Sequence, residues 1–474
     1  MTNVDPAPVP ASPQTEANTV PLLRQLGVVS ATALVVSNMI GTGIFTTTGF
    51  LAGDLGSPGL VLLIWVVGAL CALAGAFCYS ELGVNFPSSG GEYVYLTRAF
   101  GPAWGFMTGW VSFFAGFSAP IAAAALAFAD YLGYFFPWAK QENVRYVLGS
   151  GTFSLKLGGA QLVACSLILL FTVMNFFGVR RVARVQNVLT SLKVLVLVAF
   201  IVLGLTAGDG SWAHFAQPAQ RTSHAPLAAQ FAVSLLFIYV GYSGWNAATY
   251  VAEELKRPAR TLPIALALGT LLVAVLYVGL NIVFIYAAPL EQMKGVLAVG
   301  SFAASKLFGP SVAGLFSALM AVSLMSTVNA MVTIGPRVYY AMAKNKAFFP
   351  VAAYVSPRWH TPVVAIACQG LCAMLMTATP FAQLFFYIGI TLNFFAALAV
   401  ASLFKFRRQA GWQRLSVVNF AYPLVPLFFL VVSLWMFIFG ITLQPVVCAV
   451  SLLTVATGAL AYHLWLKRRA VAIA

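Results

Sequence analysis

The chain has 474 residues, 61% of them hydrophobic and only 8% charged, with a mean hydropathy of +0.91. This composition excludes a soluble domain, because stretches of about 20 apolar residues, enough for a helix to cross the hydrocarbon core, recur throughout. The formal net charge of +15 would suit a nucleic-acid binder only if it were gathered on one soluble face, and it is not.

Twelve spans are expected, near 27–50, 58–84, 104–136, 159–178, 185–206, 227–252, 262–288, 311–335, 362–379, 383–404, 419–440 and 443–466. With the N-terminus in the cytoplasm, 19 of the 26 Lys and Arg residues fall inside. Six (Lys140, Arg145, Lys156, Arg221, Lys294, Lys306) fall outside, and Lys193 lies within a span. This is the positive-inside pattern; it puts both termini in the cytoplasm and accounts for the charge without nucleic acid. The six cysteines all fall within expected spans, so neither a disulfide framework nor a metal site is implied, and they read as packing residues.

Residues 1–20 are polar and carry Pro6, Pro8, Pro10 and Pro13 with no basic segment leading into an apolar core. They read as a disordered cytoplasmic tail, not a signal peptide. Span 1 is interrupted at Ser37-Asn38-Met39-Ile40-Gly41-Thr42-Gly43-Ile44-Phe45, and span 6 at Gly241-Tyr242-Ser243-Gly244-Trp245-Asn246. Backbone freed from a helix is costly in lipid unless it lines a cavity or faces protein. Paired interruptions in corresponding places of two halves point to a transporter's binding site. The plainer explanation of the glycines is close helix packing.

Span 2 ends around Glu81 and is followed by Pro87-Ser88-Ser89-Gly90-Gly91-Glu92-Tyr93. An ionisable group in a membrane segment is a functional candidate, but both carboxylates lie near the interface, where an ion pair with a loop arginine such as Arg98 is the favoured reading. Gly101, Gly105 and Gly109 open span 3 four residues apart, a helix-packing spacing. The external loop near 137–158 is expected to be mobile. Arg180, Arg181 and Arg184 anchor the topology.

In span 5, Lys193 stands about two helical turns beyond Gln186. A lysine can snorkel, yet the eleven residues Val194 to Gly204 are all apolar, which favours a buried, switchable charge. Span 6 ends in Glu253-Glu254-Leu255-Lys256-Arg257, read as an interfacial charge cluster. In span 8, Ser326 and Thr327 suit a site lining as well as bonding across helices. Spans 7 to 10 repeat the length pattern of spans 2 to 5, and spans 11 and 12 read as scaffold.

Several ordered motifs then form a pattern. Gly41-Thr42-Gly43-Ile44-Phe45, Ser80-Glu81-Leu82-Gly83 to Gly90-Gly91-Glu92-Tyr93, Gly244-Trp245-Asn246 through Glu253-Glu254 to Pro258, and Arg337-Val338-Tyr339-Tyr340-Ala341 resemble the amino acid–polyamine–organocation superfamily. The likeness is closest to its L-type amino acid transporter branch and bacterial relatives. It implies an all-α, LeuT-like membrane fold of twelve helices in which spans 1 and 6 unwind at mid-membrane. A first five-helix repeat (21–206) and an inverted second (227–410) would precede two additional helices (411–474).

The resemblance further implies that a substrate carboxylate meets the backbone near Ile40, Gly41, Thr42 and Gly43. The ammonium would meet carbonyls near Val240 and Ser243, with Gly244, Trp245 and Asn246 completing the break. Lys193 matches a family lysine standing where sodium-coupled relatives bind an ion, which implies sodium independence. Val240 holds the position of the family's gating aromatic, with Tyr239 and Tyr242 nearby. The external loop after span 3 has no cysteine, so no disulfide-linked heavy subunit is expected. The spans offer Glu81 and Asp130 as the acids for a cationic side chain, both towards helix ends, so neutral substrates are favoured. Ala247 leaves room for a medium side chain.

The expectation is therefore a plasma-membrane secondary transporter of neutral amino acids, working by exchange or proton coupling, without cofactor. A cationic amino acid or polyamine carrier, and a membrane sensor, are the rivals. An enzyme is disfavoured because His214, His224, His360 and His463 are scattered and no catalytic or phosphate-binding motif is present.

Overall fold

Apolar sequence in lipid has to satisfy its backbone within the segment, and the helix is the local solution. The computed structural model describes residues 26–466 except 88, 89, 150–153, 178, 179, 345 and 360, so the tail expected over 1–20 lies outside the described residues. The helices run, in order, α1 (Val28–Met39), α2 (Gly43–Leu55), α3 (Pro58–Asn85), α4 (Glu92–Phe100), α5 (Pro102–Leu132), α6 (Gly159–Phe176), α7 (Arg180–Thr206) and α8 (Leu227–Tyr242). They continue as α9 (Pro258–Ala287), α10 (Pro310–Lys344), α11 (Val363–Met376), α12 (Phe381–Phe406), α13 (Leu424–Leu443) and α14 (Pro445–Ala461).

Among the described residues nine helices are long and apolar enough to cross a bilayer, or ten when α1 and α2, bent by 44° at their break, count as one span. The segment expected as span 9 contains a shorter apolar helix, Val363–Met376, and the described apolar part of the segment expected as span 5 is Ser191–Thr206. Helix ends follow the local chemistry. Gly56, at φ +66°, closes α2 in the left-handed region that glycine tolerates. Pro58 opens α3, where its missing N–H costs nothing.

Helices α1 and α3 both pack on α9, α2 on α8, and α5 on α10. Small residues set the separations, as membrane helices require. A Cβ on Gly269 would lie 2.7 Å from the Val35 side chain, and one on Gly68 would lie 2.1 Å from that of Ile238. The spacing of Gly105 and Gly109 is used for close packing too: Gly105 faces Thr97 and Gly109 faces Met342. Helix α13 packs against α3, α8 and α12, and α14 against α5 and α12.

Three sequence expectations change. The external loop is ordered in part as an antiparallel hairpin of β1 (Val144–Leu148) and β2 (Leu155–Gly158), tied down where the Lys156 amide donates to the Ala378 carbonyl at 2.8 Å. The Glu254 side chain makes no ion pair with a described residue. Instead the backbones of Glu254 and Lys256 bond Leu26, at 2.9 Å each. Glu81 is paired as expected, but with Arg407 instead of Arg98.

The guanidinium of Arg407 grips both oxygens of the fully buried Glu81, at 2.7 and 2.6 Å. Trp412 Nε1 and the Leu415 amide complete the shell at 2.8 and 3.1 Å. Arg98 instead lies 6.0 Å from the Phe86 ring centroid. A buried pair loses most when one member is removed, because the survivor keeps its desolvation cost. Arg407→Ala is therefore expected to cost about 3–5 kcal/mol and to lower the thermal unfolding midpoint in detergent. Arg98→Ala should leave that midpoint nearly unchanged.

Candidate functional site

At the break after α1, the carbonyls of Met39 and Ile40 lose their helical partners. Gly41 turns back to donate its amide to Met39 at 2.8 Å. Two side chains from other helices supply the rest. The Tyr277 hydroxyl on α9 donates to the Met39 carbonyl at 2.6 Å, and Lys193 Nζ on α7 donates to that of Ile40 at 2.8 Å. Lys193 also donates to Thr327 Oγ1 on α10 at 3.1 Å, and it is 4% exposed, so the ammonium turns inward instead of snorkelling. On the other side of the break, no described carbonyl accepts from the amides of Thr42, Gly43 or Ile44. They sit at the N-terminus of α2, the positive end of its dipole.

The break after α8 presents the opposite polarity. Ser243 donates back to Val240 at 3.1 Å, and Ala247 to Gly244 at 3.0 Å, leaving the carbonyls of Gly241 and Ser243 without an amide partner among the described residues. Gly244 has φ +97°, a conformation that strains any residue with a Cβ. The two breaks touch. A Cβ on Gly43 would fall 2.3 Å from the Gly241 Cα, and one on Gly244 would fall 2.8 Å from the Asn38 backbone.

The structure thus brings Ile40, Gly41, Thr42 and Gly43 against the break at Val240–Gly244, with Lys193 fixed to the first of them. Trp245 and Asn246 point elsewhere. Trp245 is buried edge-on against Tyr79 at 4.7 Å, behind the breaks, and Asn246 bonds Glu92. Val240 is buried. Of the rings beside it, Tyr242 is fixed between Trp65 and Tyr277, its hydroxyl donating to the Trp65 carbonyl at 3.1 Å. Tyr239 lines a small cavity with Gly68, Cys71 and Trp245. Thr327 holds Lys193, whereas the buried Ser326 hydroxyl has no partner among the described residues.

The inventory of acids needs correction. Asp54 belongs to α2, next to its C-terminal residue, and accepts from Ser234 on α8 at 3.0 Å. Glu92 reaches the end of the second break: its Oε1 accepts from Asn246 at 3.0 Å and Tyr79 at 2.8 Å, and its Oε2 from Tyr250 at 3.5 Å. Asp130 is remote, held by the Gln141 amide at 3.0 Å. Tyr277 is the contributor that sequence reasoning missed. A tyrosine in a long apolar helix carries no signal that its hydroxyl caps a carbonyl 238 residues away.

Burial of the Glu92 carboxyl raises its pKa, and the bonds from Tyr79, Tyr250 and Asn246 offset only part of the rise. A carboxyl raised in the folded state contributes stability that is present at low pH and lost as pH rises through the folded value. Glu92→Gln should therefore unfold at a midpoint equal to or above the parent's at neutral pH, with a flatter pH dependence below it. The contact of the breaks gives a second expectation, read by the same thermal assay. Gly43→Ala, forced onto Gly241, should lower the midpoint, while Gly41→Ala, whose Cβ would meet nothing closer than 3.9 Å, should not.

Comparison with known proteins adds an independent line. The sequence profile described as Amino acid permease matches residues 26–459. The large neutral amino acids transporter small subunit 2 of Mus musculus is 30% identical over 466 residues, covering 96% of this chain and 84% of its own. The serine/threonine exchanger SteT of Bacillus subtilis (strain 168) is 28% identical over 458 residues, covering 95% and 98%. The Asc-type amino acid transporter 1 of Mus musculus is 29% identical over 449 residues, covering 93% and 80%.

Proposed function

The chain belongs to the amino acid permease family and is an amino acid transporter, and from that premise we propose that it carries neutral α-amino acids by sodium-independent alternating access. The observation that carries this reading is the pairing of amides at Thr42, Gly43 and Ile44 with carbonyls at Gly241 and Ser243, all without a backbone partner among the described residues, across two breaks in contact. A helix N-terminus favours a carboxylate, and a helix C-terminus with loose carbonyls favours an ammonium. Together they suit a ligand that brings both charges, and binding requires the two breaks to part.

Neutral side chains fit the acids on hand. Glu92 is engaged by three donors and Asp54 by Ser234, so neither carboxylate is free to receive a cationic side chain. The relatives named for large neutral amino acids and for serine and threonine support the same class. In this reading Lys193 takes the place of a coupling cation, tying the broken span at Ile40 to α10 at Thr327. The repeats are 21–206 and 227–410 with α13 and α14 added, and both termini face the cytoplasm of a plasma membrane. One relative is named as a small subunit. This chain lacks a cysteine in the loop after α5, which supports its working without a disulfide-linked partner.

Proteoliposomes loaded with unlabelled leucine or serine should take up the labelled amino acid, with the same rate when sodium is replaced by choline. Strict sodium dependence, or stronger competition by arginine or putrescine than by leucine, would overturn the reading. Lys193→Ala should lower uptake about tenfold or more, the scale of one lost charge-assisted hydrogen bond.

A further inference from the structure

The two broken spans are joined to each other at three levels. Asp54 on α2 accepts from Ser234 on α8 at 3.0 Å, and Gly43 meets Gly241 at the breaks. Further along, the Leu26 amide donates to the Glu254 carbonyl, and the Lys256 amide to that of Leu26. Glu92 makes a different kind of tie. It opens α4, and its donors come from two directions: Tyr79 from the unbroken α3, Asn246 and Tyr250 from the segment that follows the second break. Among the described carboxylates, Glu92 alone bonds both a broken span and an unbroken one.

The contact around this carboxyl is close. Gly91, at φ +49°, turns the chain into α4, and a Cβ there would fall 2.8 Å from the Tyr250 ring. Tyr79 is fully buried, edge-on to Tyr95 and Trp245. The titratable groups facing Glu92 are Tyr79 on α3, Tyr95 on α4, Tyr239 on α8 and Tyr250 beyond the second break. Among the described residues no basic nitrogen lies within 4 Å of it. Neutral donors therefore hold the carboxylate, and a bond to a charged acceptor is roughly twice as strong as one to a neutral acceptor. A proton on Glu92 weakens the hold towards α3 and towards the broken span at once.

We propose that Glu92 is a positioning residue of the transport cycle: ionised, it latches the segment after the second break to α3 and α4 and keeps the breaks closed on that side, and protonation releases the latch. Glu92 acts through Asn246 and the movement of its segment, without touching the transported molecule. The role requires amino acid transport and is independent of which amino acid is carried and of sodium.

Homoexchange of a transported amino acid in proteoliposomes, with the same pH on both faces, provides the test. The maximal rate should rise as pH falls from about 8 to about 5, with KM changing less than about twofold. Glu92→Gln should lose this rise and run at neutral pH about fivefold faster than the parent. Glu142→Gln, an exposed acid in the loop after α5, should keep the rise. Should Glu92→Gln not fold, Tyr79→Phe and Tyr250→Phe, which each remove one donor, should raise the neutral rate part of the way. Hydrogen exchange read by mass spectrometry needs no transport; it should quicken over 246–255 in Glu92→Gln and stay unchanged in the β1–β2 hairpin. A pH rise retained in Glu92→Gln, a change in KM as large as that in rate, or unchanged hydrogen exchange over 246–255 would each overturn the proposal. Failure to carry leucine or serine would overturn the neutral-substrate reading alone.

Discussion

Two carbonyls, those of Met39 and Ile40, govern the arrangement around the first break. Once α1 stops, they lose their helical donors, Met39 keeping only the turned-back amide of Gly41, and an under-satisfied buried carbonyl is expensive. Tyr277 from α9 and Lys193 from α7 meet this need. Both are long side chains from neighbouring helices, so satisfying the break fixes how α7 and α9 sit against it. Lys193 then passes the constraint on to α10 through Thr327. The same two bonds leave the amides of α2 unclaimed, which gives the break its positive face.

Close approach is the second condition. Gly43 against Gly241 lets the backbones of the two broken spans touch, so their opposite polarities share one small region. The aromatic group of Trp65, Tyr242 and Tyr277 seals one side, with ring centroids 5.2–5.6 Å apart. Tyr277 belongs both to this group and to the bond on Met39, so ring packing and backbone satisfaction reinforce each other.

The carboxylates divide by their surroundings. Glu81 is enclosed by a guanidinium, an indole and an amide, and serves the junction between α3 and the end of α12. Glu92 has neutral donors only, among the described residues, and one of them, Asn246, lies at the end of the second break. The two acids stand only eleven positions apart in sequence and look alike there. Their environments differ because α3 ends between them and the chain turns into α4.

The sequence by itself determined the class of protein. Apolar length sets helices in lipid, and glycine runs mark where α1 and α8 stop. It also picked out Lys193, because eleven apolar residues after it leave the ammonium no nearby exit on that side. Tertiary structure decided who meets whom. Arg407 reaches Glu81 across 326 residues, and Tyr277 reaches Met39 across 238. The end of α6 meets α10 at Asn329 and Thr333, and the chain at Thr361, only after folding. Periodicity and composition act over a few turns of chain. A hydrogen bond or ion pair between distant segments depends on how helices pack, and no local pattern encodes that.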